Sequence, residues 1–326
     1  MRKMLVALLG VALSASLLAP AAAQKPAIEG PITILVPFGA GNGLDVMARV
    51  YAARLSQQMN TSVVVDNREG AGGLIGTMAA MRAAPNGRTV LFTAEFPYLT
   101  TPYIQPGRAY SPTSDFAPIA KVATTDFILV TAPNSPTRSV GDIVQFARSN
   151  PDKLSFASSG VGTPSQLHLE RVLKDLGVSG VHVPYKSTGA ATTDVMSGHV
   201  HLYFPALSAV MPLVREGKLR ALAVGSARRL AELPDVPTLA EVLKQPGFEA
   251  NVWFGFLAPK GVAPDVVQRL EQEIERAGKS PEITEMLKQT LAQAASAGAA
   301  RFARDITDGD KRARDLLARA GVSIDK

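Results

Sequence analysis

The residues of this 326-residue chain best placed to do chemistry are glycines and small hydroxyl residues that sit between apolar runs and helical patterns. The first stretch is Phe38-Gly39-Ala40-Gly41-Asn42-Gly43. It follows the apolar run Ile32–Val36 and precedes Leu44, Met47, Ala48, Tyr51, Leu55 and Met59, which recur at helical spacing. Its glycines let backbone N–H groups approach a ligand without a Cβ in the way, and the helix start adds the positive end of its dipole. That chemistry suits a carboxylate or a phosphate, although a tight strand-to-helix turn with no ligand uses the same residues. Two further stretches share the pattern. Ser158-Ser159-Gly160-Val161-Gly162-Thr163-Pro164 offers Thr163 as an N-cap and Pro164 at the first helical position. Lys186-Ser187-Thr188-Gly189-Ala190 follows Val181–Tyr185 in the same way. One such loop means little. Three at strand ends predict a small-anion site, because ligands of open α/β sheets sit at the carboxyl ends of the strands.

Other chemistries lack their residues. Gly39-x-Gly41, with Asp66 about twenty residues on, imitates a dinucleotide fingerprint, but Leu44 stands where the third glycine is needed. His199-x-His201 would share one face of a strand, yet no Asp or Glu joins the pair at ligand spacing, and a solvated strand end accounts for it. There is no G-x-S-x-G elbow. Ser158 and Ser159 with His168 would be the nucleophile and base of an exported hydrolase, the enzyme alternative; a purely structural pair of lobes is the plainest one. Asp45, in the first helical turn, either complements the helix dipole or touches ligand. The strip Phe96-Pro97-Tyr98 reads as loop packing or as a stacking platform. With no cysteine, the chain has no disulfide scaffold, thiol catalysis or thiolate metal site. No cofactor, metal or catalytic set is expected.

The elements that must position these loops follow from periodicity. Met1-Arg2-Lys3, an apolar run from Met4 to Ala19, and Ala21-x-Ala23 predict a signal peptide over 1–23, cleaved before Gln24, and a periplasmic protein. The apolar run is shorter than the roughly 20 residues of a membrane span. The net charge of +6 falls to +4 without Arg2 and Lys3, too mild and dispersed for nucleic acid. The strands Ile32–Val36, Ser62–Asp66 and Thr89–Thr93 alternate with helices, which predicts a parallel sheet covered on both faces. A stretch with little periodicity, Tyr98–Pro118, precedes a second strand–helix block that starts at Phe127–Thr131 and ends at Arg220–Val224. Beyond it only the tract around Val252–Ala258 reads as a strand, among helices over Pro264–Ala277, Pro281–Leu291 and Phe302–Ala320. Helices without a sheet of their own must return to the first one. The expectation is two α/β lobes, 24–121 plus 225–326 and 122–224, with a small-molecule cleft between them.

With these loops identified, the sequence resembles the Bug family, the substrate receptors of tripartite tricarboxylate transporters, from about Pro31 to Val322. The matching motifs include Val36-Pro37-Phe38 with the glycine loop and Asp45, Val65-Asp66-Asn67-Arg68 with Gly70-Ala71-Gly72-Gly73, and Ala84-Pro85-Asn86-Gly87. They continue with Asp115-Phe116-Ala117-Pro118, Gly162-Thr163-Pro164 with His168-Leu169, and His182-Val183-Pro184-Tyr185-Lys186. Gly217–Ala223, Leu233–Thr238 and Trp253-Phe254-Gly255 complete the set. The resemblance implies a two-lobe Venus-flytrap fold of the type II periplasmic binding proteins, likewise a monomer, that closes on a small carboxylate and delivers it to membrane permease subunits. Carried over, the ligand contacts are Phe38, Gly39, Ala40, Gly41 and Asn42; Thr93, Ala94 and Glu95; Ser158, Ser159, Gly162 and Thr163; Ser187, Thr188, Gly189 and Ala190; and Phe204 and Pro205 at the hinge-side wall. Three positions depart from the family pattern. Ala40-Gly41-Asn42 replaces the usual Pro-Gly-Gly, Glu95 replaces a small or amide residue, and Pro205 stands where an Asp is common. A Glu95 carboxylate facing the cleft would repel a second ligand carboxylate. The expected ligand is therefore a monocarboxylate or an amino acid rather than citrate, and Phe38, Phe96, Tyr98 and Phe204 leave an aromatic acid open.

Overall fold

The computed structural model describes residue 28, residues 30–104 and residues 109–319. The expected signal peptide and its cleavage point lie outside these residues. The chain begins with β1 (Ile32–Val36), α1 (Gly43–Met59), β2 (Val63–Asn67), α2 (Leu74–Met81) and β3 (Thr89–Ala94). After α3 (Glu95–Ile104), β4 (Phe116–Asp126) leads almost directly into β5 (Ile128–Thr131). The second block then runs α4 (Val140–Ser149), β6 (Ser155–Ser158), α5 (Pro164–Asp175), β7 (Val181–Pro184), α6 (Thr188–Met196), β8 (Leu202–Tyr203), α7 (Leu207–Arg215), β9 (Arg220–Val224) and α8 (Leu239–Leu243). The chain closes with β10 (Asn251–Pro259), α9 (Pro264–Gly278), α10 (Pro281–Gln289), β11 (Gln293–Gly298) and α11 (Ala299–Arg319).

The strands form two sheets among the described residues, ordered β11-β4-β10-β3-β1-β2 and β7-β6-β8-β5-β9. Each contains the same unit. β1 lies between β2 and β3, parallel to both, and β6 lies between β7 and β8, parallel to both. The chain leaves each central strand first to one side and then to the other. The helices that start on either side of that reversal diverge and leave a crevice at the strands' carboxyl ends. An antiparallel strand that enters from the other half flanks each unit, β10 beside β3 and β5 beside β8.

Side-chain alternation explains why both sheets are covered on two faces. Ile34, Phe92 and Phe256 pack under α1, α9 and α10, while their neighbours Leu35, Leu91 and Leu257 pack under α2, α3 and α11. In the second sheet Leu129, Phe156 and Leu202 meet α4, α5 and α8, and Ile128, Ala157 and Tyr203 meet α6 and α7. Elements of the first half reach into the second, β10 among them through Val252. Phe96 and Tyr103 of α3 and Leu317 of α11 are buried in the second half's core.

Three expectations are corrected. The aperiodic stretch Tyr98–Pro118 opens inside the helix α3, whose residues are buried on nearly every side and so show no polar face. The last hundred residues hold two strands, since β11, a run of Ala, Ser, Gln and Gly, pairs with the edge of β4. The halves also exchange at different residues. β4 stays in the first sheet to Asp126, and Leu239, Phe248 and Ala250 pack into the second half's core, so the chain crosses at Phe127 and again at Ala250.

At that double crossing Phe127 N–H donates to Ala250 C=O at 3.1 Å, Ala250 N–H to Gly225 C=O at 2.8 Å, and Gly225 N–H to Phe127 C=O at 2.7 Å. A Cβ on Gly225 would lie 2.4 Å from the Ala250 oxygen. Gly225→Ala, ordinarily a mild loss of unfolded-state entropy, is therefore expected to destabilise the protein by about 1–3 kcal/mol through overpacking. A lower Tm in a circular dichroism melt, with unchanged secondary structure at low temperature, is the expected result.

Candidate functional site

The expected ligand residues fall on the carboxyl edges of the two repeated units. Phe38–Asn42 follows β1 and Thr93–Glu95 ends β3, so both border the first crevice. Ser158–Thr163 follows β6 and Phe204–Pro205 follows β8, at the second crevice, with Ser187–Ala190 beside them after β7.

The first loop is held from below by a closed polar network. Asp45, buried at 2% exposure, accepts the Gly41 N–H at 2.8 Å, Arg49 Nε at 3.0 Å and Asn67 Nδ2 at 3.0 Å. Asn67 also donates to the Phe38 carbonyl at 3.0 Å and accepts from Arg49 Nη2 at 3.0 Å. Burial acts to raise the Asp45 pKa, but the bonds from Arg49, Gly41 and Asn67 outweigh it and hold the carboxyl below its usual range. Asp45 thus fixes the loop from behind. Asn42, extended at φ −78°, caps α1 by accepting from the Leu44 N–H at 2.8 Å and the Asp45 N–H at 3.1 Å, and its amide reaches the Gly39 carbonyl. Among the described residues the N–H groups of Ala40, Asn42 and Gly43 have no partner.

The second half builds its loops in the same way. Ser158 donates to the Gly160 carbonyl at 3.0 Å, accepts from the Gly160 N–H at 3.1 Å, and meets His182 Nε2 at 2.6 Å. Gly162 N–H donates to Gln166 Oε1 at 2.7 Å, and Ser159 N–H to Ser165 Oγ at 3.1 Å. Pro164 brings no N–H, and the N–H groups of Val161 and Ser165 have no partner among the described residues. Ser187 caps α6 through the Ala190 N–H at 3.2 Å, and Thr188 and Gly189 keep theirs. The Tyr203 hydroxyl, on β8, links the two loops. Burial raises its pKa, and bonds with Thr188 and Ser159 pull it back. Tyr203 lies in an apolar strand and carries no mark in the sequence that would single it out. Asn67 sits in a quoted motif, but its role becomes visible only once β2 lies beside β1.

Several expected contacts have other positions. Phe204 is fully buried, its ring 5.7 Å from Phe127 and 6.2 Å from His168, and Pro205 is buried with its carbonyl bound to the Ile128 N–H. Thr93 is fully buried as well, its hydroxyl without a hydrogen-bond partner among the described residues. Phe96 packs on His168 at 5.2 Å, and Tyr98 is a core residue. His201 Nδ1 accepts from the Ser155 N–H at 3.1 Å, while His199 meets Ser197 and Asp194, so these two rings serve different partners. The carboxylate of Glu95 points away from the glycine loops. It accepts the Trp253 N–H at 3.3 Å, lies 3.8 Å from Arg312 of α11, and lines a cavity of about 380 Å³ shared with His168, Lys121 and Asp305.

Comparison with known proteins finds relatives that span most of the chain. The family model described as tripartite tricarboxylate transporter family receptor matches residues 47–322. The protein BugT of Bordetella pertussis is 35% identical over 283 residues, 86% of each chain. Among solved structures, the periplasmic binding protein BugD superposes with a TM-score of 0.70 at 31% identity, covering 90% of this chain and 99% of that one. An R. palustris protein solved with adipate superposes with a TM-score of 0.74 at 30% identity, covering 90% and 98%.

Burial raises the Glu95 pKa from 4.5 to about 7, although Arg312, the Trp253 N–H and Lys121 oppose it. A group with a raised folded pKa contributes stability that is complete below its unfolded value and is lost as pH rises through its folded value. Glu95→Gln keeps the acceptor for Trp253 and removes the charge. At pH 8 it is expected to be more stable than the wild type by roughly 3 kcal/mol, and at pH 4.5 equal to it, by denaturant titration.

Proposed function

This chain belongs to the tripartite tricarboxylate transporter receptor family, and we propose that it captures a small organic carboxylate in the periplasm and presents it to the permease subunits of such a transporter. The observation that carries the reading is the repeated placement of three helix starts, α1, α5 and α6, at strand carboxyl edges with unpaired N–H groups and hydroxyls around them. Such groups favour an anion without any cationic side chain. The lobes are proposed to close on the ligand by bending at Phe127 and Ala250. A monomer, with its signal peptide removed before Gln24, fits this role.

The ligand class needs revising. A preference for monocarboxylates and amino acids rested on Glu95 facing the cleft, whereas its carboxylate is bound to Trp253 N–H and Arg312. Without that repulsion a dicarboxylate is acceptable, and the likeness to the adipate-bound protein favours one. An aromatic acid loses three of its four supports, since Phe96, Tyr98 and Phe204 are core residues and only Phe38 stays half-buried at the loop. The direct contacts are proposed to be Ala40, Asn42 and Gly43 in one lobe, and Ser159, Val161, Ser165, Thr188 and Gly189 in the other.

The hydrolase alternative pairs Ser158 and Ser159 with His168, but His168 is buried and neither ring nitrogen has a hydrogen-bond partner among the described residues; the histidine that Ser158 meets is His182. Ser158 is fully buried, and its hydroxyl is held within its own loop by the carbonyl and the N–H of Gly160 as well as by His182 Nε2. No carboxylate bonds His182 among the described residues. The pair anchors the loop.

Thr188→Pro tests the site. Proline suits the first helical position, and Ser187 before it is already extended at φ −154° and ψ 156°. The substitution removes one N–H donor, together with the hydroxyl that meets Tyr203, and leaves α6 intact. Calorimetric titration with adipate, malate and hexanoate is expected to show binding by the wild type. The variant is expected to bind about tenfold more weakly, the worth of one hydrogen bond to a charged group, with Tm nearly unchanged. Absence of binding by the wild type to every carboxylate in a broad panel would sink the proposal.

A further inference from the structure

Glu95 is a buried carboxylate that ligand capture does not use directly, yet it joins three parts of the molecule. On the β3–β10 ladder Phe254 pairs with Ala94. The next residue of β10, Trp253, has no strand partner on β3, because the chain turns there into α3. Its N–H is taken instead by Glu95, so the side chain continues the ladder by one rung. The other carboxylate oxygen faces Arg312 at 3.8 Å on α11. That helix comes close because residue 309 is glycine; a Cβ there would lie 2.7 Å from Leu99 Cδ1 and 3.4 Å from Glu95 Oε1. About two turns further on, α11 buries Leu317 in the second lobe's core.

We propose that Glu95 is a positioning residue for ligand capture, fixing the cleft edge at Thr93–Ala94 by tying it to the crossing strand β10 and, when ionised, to Arg312 on the helix that links the lobes. The inference rests on the carboxylate-receptor reading above. Neutral Glu95 keeps the bond to Trp253 but gives up the attraction to Arg312. The charged groups around it come from every neighbouring element. Lys121 of β4, Arg301 and Arg312 of α11 and Arg171 of α5 are positive; Asp305 and Asp308 of α11 and Glu249 before β10 are negative. His168 of α5, whose pKa burial lowers to about 3, stays neutral. Lys121 and Arg301 are both engaged by Asp305, which leaves Arg312 as the cation nearest the carboxylate. With the Glu95 pKa near 7, the tie forms as pH rises through neutrality.

The test is calorimetric titration of the mature protein with adipate between pH 6 and pH 8.5, where a carboxylate ligand holds its charge. Affinity is expected to rise about fivefold across that range, a modest coupling, with a midpoint near 7. Glu95→Gln should bind adipate with no such step. Arg312→Gln, at a half-exposed site where folding is secure, should move the step to higher pH, because the cation that favours the carboxylate is gone. Trp253 is the sole tryptophan, so its emission in the ligand-free protein should titrate with the same midpoint, and in Glu95→Gln should not. A flat wild-type affinity, or a step that survives in Glu95→Gln, overturns the proposal. Failure of every carboxylate to bind at any pH overturns the receptor reading instead, and this inference with it.

Discussion

The structure depends on a ring of three backbone hydrogen bonds where the chain passes between its halves. Phe127, Gly225 and Ala250 each donate to one of the other two and accept from the remaining one, so six buried polar groups are satisfied by three residues. Such a crossing is otherwise difficult, because strands leaving one sheet for another must abandon their ladders in a place water does not reach. The ring meets that need without side chains. It also explains why Gly225 carries none, and why the crossings fall at Phe127 and Ala250 rather than at the ends of the apolar runs.

From that junction each half repeats one arrangement: a central strand, parallel neighbours on both sides, and an antiparallel strand arriving from the other half. The arrangement was largely legible in the residues. Near-continuous apolar runs marked strands buried on both faces, and glycine loops marked their carboxyl ends. The loops could be read because their chemistry is local. A glycine, a hydroxyl and a helix start lie within a few residues of one another, and the backbone path follows from their types.

What could not be read is what depends on distant packing. The helix α3 hides because it is surrounded, and β11 hides because an edge strand of small residues has no apolar signature. Tyr203 and Asn67 act across loops that only the folded sheet brings together. Glu95 shows the limit most clearly. Its place next to Thr93 and Ala94 suggested a cleft-facing charge, but a residue that opens a helix points its side chain by the helix's direction. That direction leads to β10 and α11.

The repeated strand order has a consequence for selectivity. Two units of like topology present equivalent helix starts at equivalent strand ends. A ligand with two similar ends would meet similar surfaces, and the protein can tell its ends apart only where the units break that equivalence. They break it at the helix starts. Asn42 occupies two amides of α1 and an ionised Asp45 lies just behind, while α5 opens on a proline and α6 on a serine with no acid in the first turn. In the proposed site, orientation of an asymmetric guest would rest on these three helix starts rather than on any charged pair.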